Sequence, residues 1–181
     1  MSTAEPLNTA EPLSTAEPVS TAVEIAAAVP DPELPMVTIA ELGILRGVRH
    51  DGAAVTVTIT PTYSGCPAMR EISSELRRCL AQGGYPEVVV RIELSPPWSS
   101  DWITPAGRRK LVAAGIAAPN TAGQRPPGPI PLTLIAAPRA VTCPRCGSTR
   151  TSETAAFSGT ACKALYRCRA CQEPFEYVKA I

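Results

Sequence analysis

Seven cysteines are spread along this 181-residue chain, and four of them form two closely spaced pairs. Cys143 and Cys146 make one CxxC pair, and Cys168 and Cys171 make another after 21 intervening residues. Each CxxC turn can direct both of its sulfur atoms toward one ion, so two such turns provide a closed tetrahedral site of four cysteines. The spacing predicts a small β domain, a zinc ribbon, that depends on its metal for stability. Iron would use the same four ligands, and this alternative stays open.

A fifth cysteine, Cys66, lies where the pattern changes from strand to helix. Residues 54–59 alternate apolar and hydroxyl side chains, which is typical of a half-buried strand. Residues 69–80 carry apolar side chains at spacings of three and four, which predicts an amphipathic helix with Pro67 in its first position. A thiol at a helix N-terminus is favoured as thiolate, the form that binds metal or attacks electrophiles. The alternative is a small buried side chain that serves packing.

Other titratable residues are weaker candidates. Asp31 and Glu33 lie in a proline-paced turn, where they could be surface acids, ligands or helix caps. Cys162 lies outside the two pairs as a surplus thiol, a buried filler or a functional thiol, and its lysine and glycine neighbours favour an exposed, somewhat acidic group. Cys79 falls on the apolar helix face and is predicted to be core. His50, in a hairpin turn, is predicted to lie on the surface.

The elements that must position these residues alternate between helix and strand. A helix capped by Ser20 or Thr21 is predicted to stop at Pro30, and two antiparallel strands follow around an Asp-Gly turn. The helix after Cys66 leads to a third strand over residues 87–94, which should lie parallel to the strand before it. This order predicts an α/β fold, a small mixed-sheet α/β sandwich. Two tryptophans follow the third strand, where they would roof a site, contact a partner or simply pack.

Changes in composition divide the chain into four segments. Near-copies of a proline-containing hexamer make residues 1–20 a predicted disordered tail without a function of its own. Residues 21–116 form the predicted α/β domain, and a short helix capped by Thr104 lies near its end. A stiff proline-rich linker is predicted over residues 117–138, and the ribbon over residues 139–181.

Composition and charge narrow the function classes. No run of 18 apolar residues is present, so no membrane span is expected, and the first residues lack the pattern of a secretory signal. The CxxC pairs indicate a reducing compartment, so the cytoplasm is expected. Residues 139–181 carry seven basic and three acidic side chains in a chain of net charge +1, but the basic residues are scattered and aromatic residues are few. Nucleic-acid binding is therefore not favoured.

Several stretches carry a family resemblance. Residues 31–35 (DPELP), 42–45 (LGIL) and 60–67 (TPTYSGCP) resemble the iron–sulfur assembly family of small α/β domains. Residues 97–104 (PWSSDWIT) and 115–119 (GIAAP), together with a C-terminal zinc ribbon, resemble the PaaD-type family of bacterial phenylacetate catabolism. The resemblance covers the chain beyond its N-terminal repeats.

The resemblance implies an accessory role in the maturation of phenylacetyl-CoA epoxidase, a di-iron oxygenase whose reductase carries an iron–sulfur cluster. It implies that Cys66 holds iron or an iron–sulfur cluster transiently, in a pocket shaped by Asp31, Glu33, Thr60 and Thr62. The implied partners are the oxygenase and reductase subunits, and the ribbon would be a structural or docking module with zinc. The sequence contains no phosphate-binding loop, catalytic triad or flavin fingerprint, so independent catalysis is not expected.

The sequence leaves open which ligands would accompany Cys66, and it is compatible with two alternative functions. One thiolate does not hold a cluster alone, so Cys66 would need a second copy of the chain in a homodimer, a partner, or Cys162. A first alternative function is a non-catalytic structural subunit of the oxygenase complex, for which Cys66 would be dispensable. A second is a nucleic-acid-binding ribbon protein, which the basic C-terminal segment supports only weakly.

Overall fold

The computed structural model of this chain describes residues 17–51, 54–119 and 141–180, with side chains for residues 21–50, 54–119 and 141–180. The described residues form three helices, α1 (Glu17–Ala27), α2 (Ala68–Gln82) and α3 (Pro105–Ala113), and six strands, β1 (Leu45–Asp51), β2 (Ala54–Ile59), β3 (Glu87–Ile92), β4 (Thr151–Ala155), β5 (Lys163–Cys168) and β6 (Pro174–Val178). None of these described helices is long and apolar enough to cross a lipid bilayer. Most of the predicted repeat tail, and all but the first three residues of the predicted linker, lie outside the described residues.

The first three strands form one sheet in the order β1-β2-β3. β1 and β2 are antiparallel, whereas β2 and β3 are parallel, as the hairpin and the helical crossover predict. Along β2, Val55, Val57 and Ile59 are fully buried at every second position. The mixed sheet confirms the predicted α/β fold.

α2 buries its apolar stripe in the core of this α/β domain. Ile72, Leu76 and Leu80 are at most 1% exposed, as the helical period of the sequence predicts. Truncation of such a buried leucine to alanine costs about 2–5 kcal/mol. The stripe therefore fixes the start of α2 relative to the end of β2, and with it the turn that contains Cys66.

α1 begins earlier than the sequence predicts. The helix starts at Glu17, so the prediction of a cap at Ser20 or Thr21 is wrong. Pro18 occupies the first turn, where its missing N–H removes no intrahelical hydrogen bond, and the helix therefore extends back through it. The end of the helix agrees with the predicted stop before Pro30.

A tight turn over residues 38–43 lies within the connection between α1 and β1. The N–H of Leu42 donates to the carbonyl of Thr38 at 3.0 Å, and Gly43 closes the turn with a φ of +70°. A Cβ atom at Gly43 would lie 2.5 Å from the Cβ atom of Trp102. Glycine is therefore required here both for the left-handed backbone and for the close approach of the tryptophan.

The last three strands form a second, antiparallel sheet in the order β4-β5-β6. Tyr166 lies in its core, with its ring centroid 5.9 Å from that of Phe175 and 5.4 Å from that of Tyr177. Cys143 and Cys168 are buried in the same cluster. The aromatic core of the ribbon is thus continuous with its cysteine pairs.

The ribbon docks on the α/β domain through the end of β6. The N–H of Ala117 donates to the carbonyl of Glu176 at 2.8 Å, and the N–H of Val178 donates to the carbonyl of Ala117 at 3.0 Å. Val178 is buried in the core of the α/β domain. Ala117, predicted as the first residue of the linker, therefore pairs with the ribbon, and the two domains meet along one strand end.

Candidate functional site

The four paired cysteines of the ribbon converge on one point. Their sulfur atoms all lie within 4.8 Å of one another. The distance is 3.8 Å between the Sγ atoms of Cys143 and Cys171, and 3.6 Å between those of Cys146 and Cys168. Four sulfur atoms placed tetrahedrally at about 2.3 Å from a zinc ion lie about 3.8 Å apart. The arrangement fits zinc held by four thiolates, which leaves no open coordination position for catalysis.

Left-handed backbone follows both cysteine pairs, and backbone hydrogen bonds favour the thiolate at one cysteine of the second pair, Cys168. Gly147 and Gln172, which follow the second cysteine of each pair, have left-handed φ values of +71° and +66°. The N–H groups of Cys171 and Ala170 donate to the sulfur of Cys168 at 3.5 and 3.4 Å. The hydrogen bond from Cys171, aided by that from Ala170, lowers the pKa of Cys168 to about 6 and favours the thiolate that zinc binds.

Cys66 lies in the turn between β2 and α2. Its N–H donates to the carbonyl of Tyr63 at 3.1 Å, and its own carbonyl accepts from the N–H of Met69 at 3.4 Å. Pro67, predicted at the first helical position, is the N-cap residue, so α2 begins at Ala68. The Cys66 residue is half-buried.

Burial raises the pKa of the Cys66 thiol. The N–H of Ala68 at the start of α2 acts in the opposite direction, but negative charge on Glu33, Cys162 and Asp31 adds to the increase. The prediction that the helix N-terminus makes Cys66 a thiolate is therefore wrong, because the lost hydration outweighs the helix end. The higher pKa favours the neutral thiol at Cys66.

The thiol lines a cavity of about 30 Å³ at the joint between the two domains. The cavity is lined by Asp31, Glu33, Leu34, Leu42, Ile44, Thr62, Cys66, Ala68 and Trp98 of the α/β domain and by Cys162, Val178 and Lys179 of the ribbon. A water molecule needs about 10–15 Å³ of such volume. The cavity has room for one metal ion or one or two waters, and not for an iron–sulfur cluster.

The two predicted acids face this cavity in different states. Asp31 is 6% exposed, and its Oδ1 accepts hydrogen bonds from the N–H groups of Glu33 and Leu34, both at 2.9 Å. Burial raises the pKa of Asp31 in spite of these two bonds. Among the described residues, the Glu33 carboxylate has no hydrogen-bond partner. Asp31 thus braces its own turn, whereas Glu33 is free to bind a ligand.

The two predicted threonines are separated by the fold. Thr62 lines the cavity with Cys66, but Thr60 does not. Thr60 is 2% exposed, and its N–H donates to the carbonyl of Ile44 at 2.8 Å. Thr60 therefore lies behind the cavity wall and supports it.

Cys162 is the cavity residue whose role the sequence left open. It is half-buried just before β5, and burial raises its pKa, so the prediction of an exposed and acidic thiol is wrong. The one available signal was that a ribbon with four cysteine ligands does not need a fifth cysteine. Its approach to Cys66 depends on the docking of two domains, which no local spacing indicates.

One of the two tryptophans belongs to the cavity. Trp98 is 4% exposed and lines it, and its Nε1–H donates to the carbonyl of Leu42 at 3.0 Å. Trp102 is placed elsewhere, with the guanidinium carbon of Arg46 3.6 Å from its ring centroid. Trp98 therefore forms part of the cavity wall and also packs in the core, whereas Trp102 packs outside the cavity.

Cys66 also borders an open groove on the protein surface. The groove has a volume of about 550 Å³, and Arg70 and Arg77 of α2 line it. The turn of Cys66 thus stands between the inner cavity and a positively lined surface. Cys66 is thus a lining residue of both the cavity and the groove.

Two other predictions have different outcomes. His50 lies in β1 and is half-buried, so the predicted surface position holds only in part: its Nε2 is buried without a hydrogen-bond partner among the described residues, and its ring lies edge-on to that of Tyr85, with 5.4 Å between the ring centroids. Cys79 packs against the α/β core as predicted. Its sulfur also lies 3.4 Å from a carboxylate oxygen of Glu75 at the edge of that core.

Comparison with known families divides the chain into two parts. Residues 23–94 match the family described as iron–sulfur cluster assembly protein, and residues 128–179 match the PaaD zinc beta ribbon domain. Cys66 and the two acids lie in the first match, and the four clustered cysteines lie in the second. Fold and site therefore define an iron–sulfur assembly domain joined to a metal-binding ribbon.

Similar proteins identify the particular family to which this chain belongs. The chain is 42% identical over 153 residues to a putative subunit of 1,2-phenylacetyl-CoA epoxidase from Escherichia coli (strain K12), a match that covers 84% of this chain and 87% of that protein. This chain belongs to the PaaD-type family that this relative represents. It is also 36% identical to the Fe-S protein maturation auxiliary factor SufT of Staphylococcus aureus (strain USA300), over 48% of this chain and 96% of that protein.

One solved structure is similar to about half of this chain. The crystal structure of a domain of unknown function from Bacillus anthracis covers 51% of this chain and 90% of that chain, with 29% identity and a TM-score of 0.48.

Proposed function

We propose that this protein is an accessory protein of a phenylacetyl-CoA epoxidase system in phenylacetate catabolism, and that Cys66 assists the assembly of iron centres in that system. The observation that carries the proposal is the cavity that joins the Cys66 thiol to two carboxylates within the iron–sulfur assembly match. The E. coli relative, which is named for this epoxidase, supports the choice of system. The S. aureus maturation factor, which matches about half of this chain, supports the role.

Iron is the cargo in this proposal. Because burial raises the pKa of Cys66, the thiol keeps its proton until a cation enters, and binding then releases that proton to solvent. The Glu33 carboxylate adds a hard oxygen donor beside the soft sulfur, a mixture that favours exchange over permanent retention, and Asp31 braces the turn that carries Glu33. The groove with Arg70 and Arg77 is the exit toward an acidic surface of a partner.

The remaining parts have supporting roles. The ribbon, with zinc as its resident metal, is a structural and docking module, and the oxygenase and reductase subunits of the epoxidase are the proposed partners. The protein carries out no independent catalysis in this scheme. Metal transfer would occur only while a partner is docked.

A second candidate function is a structural subunit of the oxygenase complex. β3 is an edge strand in which Val89 and Ile92 are 45% and 51% exposed, and Leu94, two residues after its end, is 57% exposed. Exposed apolar side chains on a sheet edge are typical of a protein contact. A partner subunit or a second copy of this chain would cover this edge, and Cys66 would then serve packing.

Complementation separates the two candidates. A strain that lacks this gene would receive the wild type, Cys66→Ser, Cys66→Ala or the control Cys79→Ser, which changes another half-buried free thiol. We expect both Cys66 variants to lose growth on phenylacetate, with an epoxidase that is assembled but poor in iron. The control should grow normally. Growth curves, immunoblots of the protein and elemental analysis of the purified oxygenase and reductase are the measurements.

Normal growth with normal iron content in the Cys66 variants would remove the maturation role. The structural-subunit candidate would then stand, and substitution of Ile92 and Leu94 by charged residues would be expected to abolish growth through loss of the complex.

A further inference from the structure

We propose that Cys162 of the ribbon and Cys66 of the α/β domain form one two-thiol site at the domain joint, which binds a single thiophilic divalent ion of the Fe(II) or Zn(II) kind with Glu33 as a third donor. This inference rests on the proposed function and adds to it the second thiol, the number of ions and a dependence on the ribbon. All three side chains line the same cavity.

The loop that carries Cys162 is held in place by the segment after β6. The carbonyl of Cys162 accepts from the backbone N–H of Lys179 at 2.9 Å, and the carbonyl of Ala161 accepts from Lys179 Nζ at 2.9 Å. The Oγ1 of Thr160 lies 3.1 Å from the sulfur of Cys162. Three consecutive residues of the loop are thus tied, and Cys162 is held at the cavity wall.

The same strand end joins the ribbon to the α/β domain. Val178, the neighbour of Lys179, is buried in the α/β core, and its N–H donates to the carbonyl of Ala117. The joint therefore sets the position of the Cys162 backbone at the cavity that Cys66 also lines. The pairing of the two thiols is a property of the docked domains.

The donors around the cavity suit one thiophilic ion. Thiolates select zinc and iron over hard ions such as magnesium or calcium. Glu33 is the available carboxylate, because one oxygen of Asp31 already accepts two N–H groups. When the ion enters, each thiol loses its proton to solvent, and two thiolates with the Glu33 carboxylate leave the site with one net negative charge and no change in oxidation state.

The size of the cavity and the spacing of its donor atoms determine how many ions it can hold and how firmly. About 30 Å³ accommodates one ion and excludes a cluster. Within residues 17–51, 54–119 and 141–180, the ribbon cysteines are the one set of three or more ligand atoms that all lie within 4.8 Å of one another. The cavity donors must close on the ion as it binds, so the ion is held less firmly than the ribbon metal, as a transferred cargo requires.

The test uses the full-length chain with zinc in its ribbon, kept free of oxygen, and Co(II) as the probe. Thiolate-bound Co(II) absorbs through sulfur-to-metal charge transfer in proportion to the number of thiolates. We expect one equivalent of Co(II) beyond the zinc, with the absorption of two thiolates. Cys66→Ser and Cys162→Ser should each weaken binding by more than about 100-fold, since loss of a residue that only supports a ligand costs about 10–100-fold. Cys79→Ser should bind as the wild type does.

Zinc content and thermal unfolding check that each variant is folded, and Cys162→Ala is the second variant at that position. Wild-type affinity in both Cys162 variants, with binding lost in Cys66→Ser, would indicate a one-thiol site and overturn this inference while the proposed function stands. No extra Co(II), or uptake matched by zinc release, would overturn it too. If the wild type binds Co(II) through two thiolates in vitro but a strain with Cys66→Ser grows normally on phenylacetate, the two-thiol site would be supported. The proposed function would then be removed.

Discussion

The two sulfur sites of this protein differ in how their ligands come together. In the ribbon, two turns of one small domain bring the four cysteines together, and the paired sulfur atoms lie 3.6 and 3.8 Å apart. In the cavity, Cys66 and Cys162 come from different domains, and a third segment contributes Asp31 and Glu33. The ribbon site is complete within one domain, whereas the cavity exists only where two domains touch.

On the proposed function, this difference separates a resident metal in the ribbon from a cargo at the cavity. Backbone N–H groups already favour the thiolate at Cys168, while burial raises the pKa of Cys66 and Cys162 and keeps both protonated. A site whose backbone already favours a thiolate retains its ion. A site of neutral thiols must release protons before it can bind one. Zinc in the ribbon thereby supports the geometry in which the cavity works.

Loss of a ribbon ligand should have the largest effect. Cys168→Ser removes a thiol that is 0% exposed, and we expect loss of zinc and unfolding of the ribbon, because zinc supplies about 10–16 kcal/mol in small domains of this kind. Elemental analysis and near-ultraviolet circular dichroism of the tyrosine cluster measure both. Cys79→Ser should keep its zinc. A ribbon that stays folded without metal would contradict the view that a resident zinc ion stabilises it.

Chelation of the ribbon zinc should expose the second site. We expect the alkylation rate of Cys66 to rise by about tenfold or more, the factor that corresponds to about 1.4 kcal/mol of lost protection. Mass spectrometry of alkylated peptides measures each cysteine separately, and Cys79 on the same domain should keep its rate. An unchanged rate at Cys66 would mean that the α/β domain closes the cavity without the ribbon.

The tryptophan in the cavity wall should matter more than the one outside. Trp98→Phe removes the donor to the buried Leu42 carbonyl, and we expect the free energy of unfolding to fall by about 1–3 kcal/mol. Trp102→Phe keeps an aromatic ring beside Arg46 and should cost less. Urea unfolding curves measure both variants, and equal losses would argue against a distinct role for the wall.

A smaller effect should appear in the dependence of stability on pH. Burial raises the pKa of Cys66 and Cys162, so both keep their protons in the folded protein at pH values where an unfolded cysteine, with a pKa of about 8.5, loses its own. Stability should therefore be unaffected below that value and fall as the pH rises from it toward the higher folded pKa values. The double variant with alanine at both positions should flatten this decline. A profile identical to that of the wild type would contradict the prediction; urea midpoints across this pH range are the measurement.

Much of the fold followed from local patterns. The alternation in residues 54–59 and the three-and-four spacing in residues 69–80 were sufficient for β2 and α2, and the Asp-Gly turn and the helical crossover for the order and directions of the first sheet. The CxxC spacing was sufficient for the ribbon cluster. These features are readable because each depends on neighbours within one or two turns of the chain.

The errors have a common cause in longer-range effects. The N-terminal position of Cys66 on α2 suggested a thiolate, but burial in the folded protein excludes water and reverses the shift in its pKa. The neighbours of Cys162 suggested exposure, but the thiol is half-buried and lines the cavity at the joint with the α/β domain. The effects of a helix end and of neighbouring charges on a pKa can be inferred from the sequence. The effect of desolvation cannot, because it depends on packing in the folded protein.

Local spacing alone was enough to specify the α/β sandwich, the zinc ribbon and Cys66 as the thiol at a strand-to-helix turn, because periodicity and turn chemistry act over a few residues. The tertiary structure decided that Cys66 and Cys162 line one cavity, because β6 docks against the α/β core. It also decided that Thr60 and Trp102 lie outside this cavity and that burial raises the pKa of both thiols. Those properties depend on contacts between residues far apart in the chain, and such contacts exist only after both domains have folded and joined.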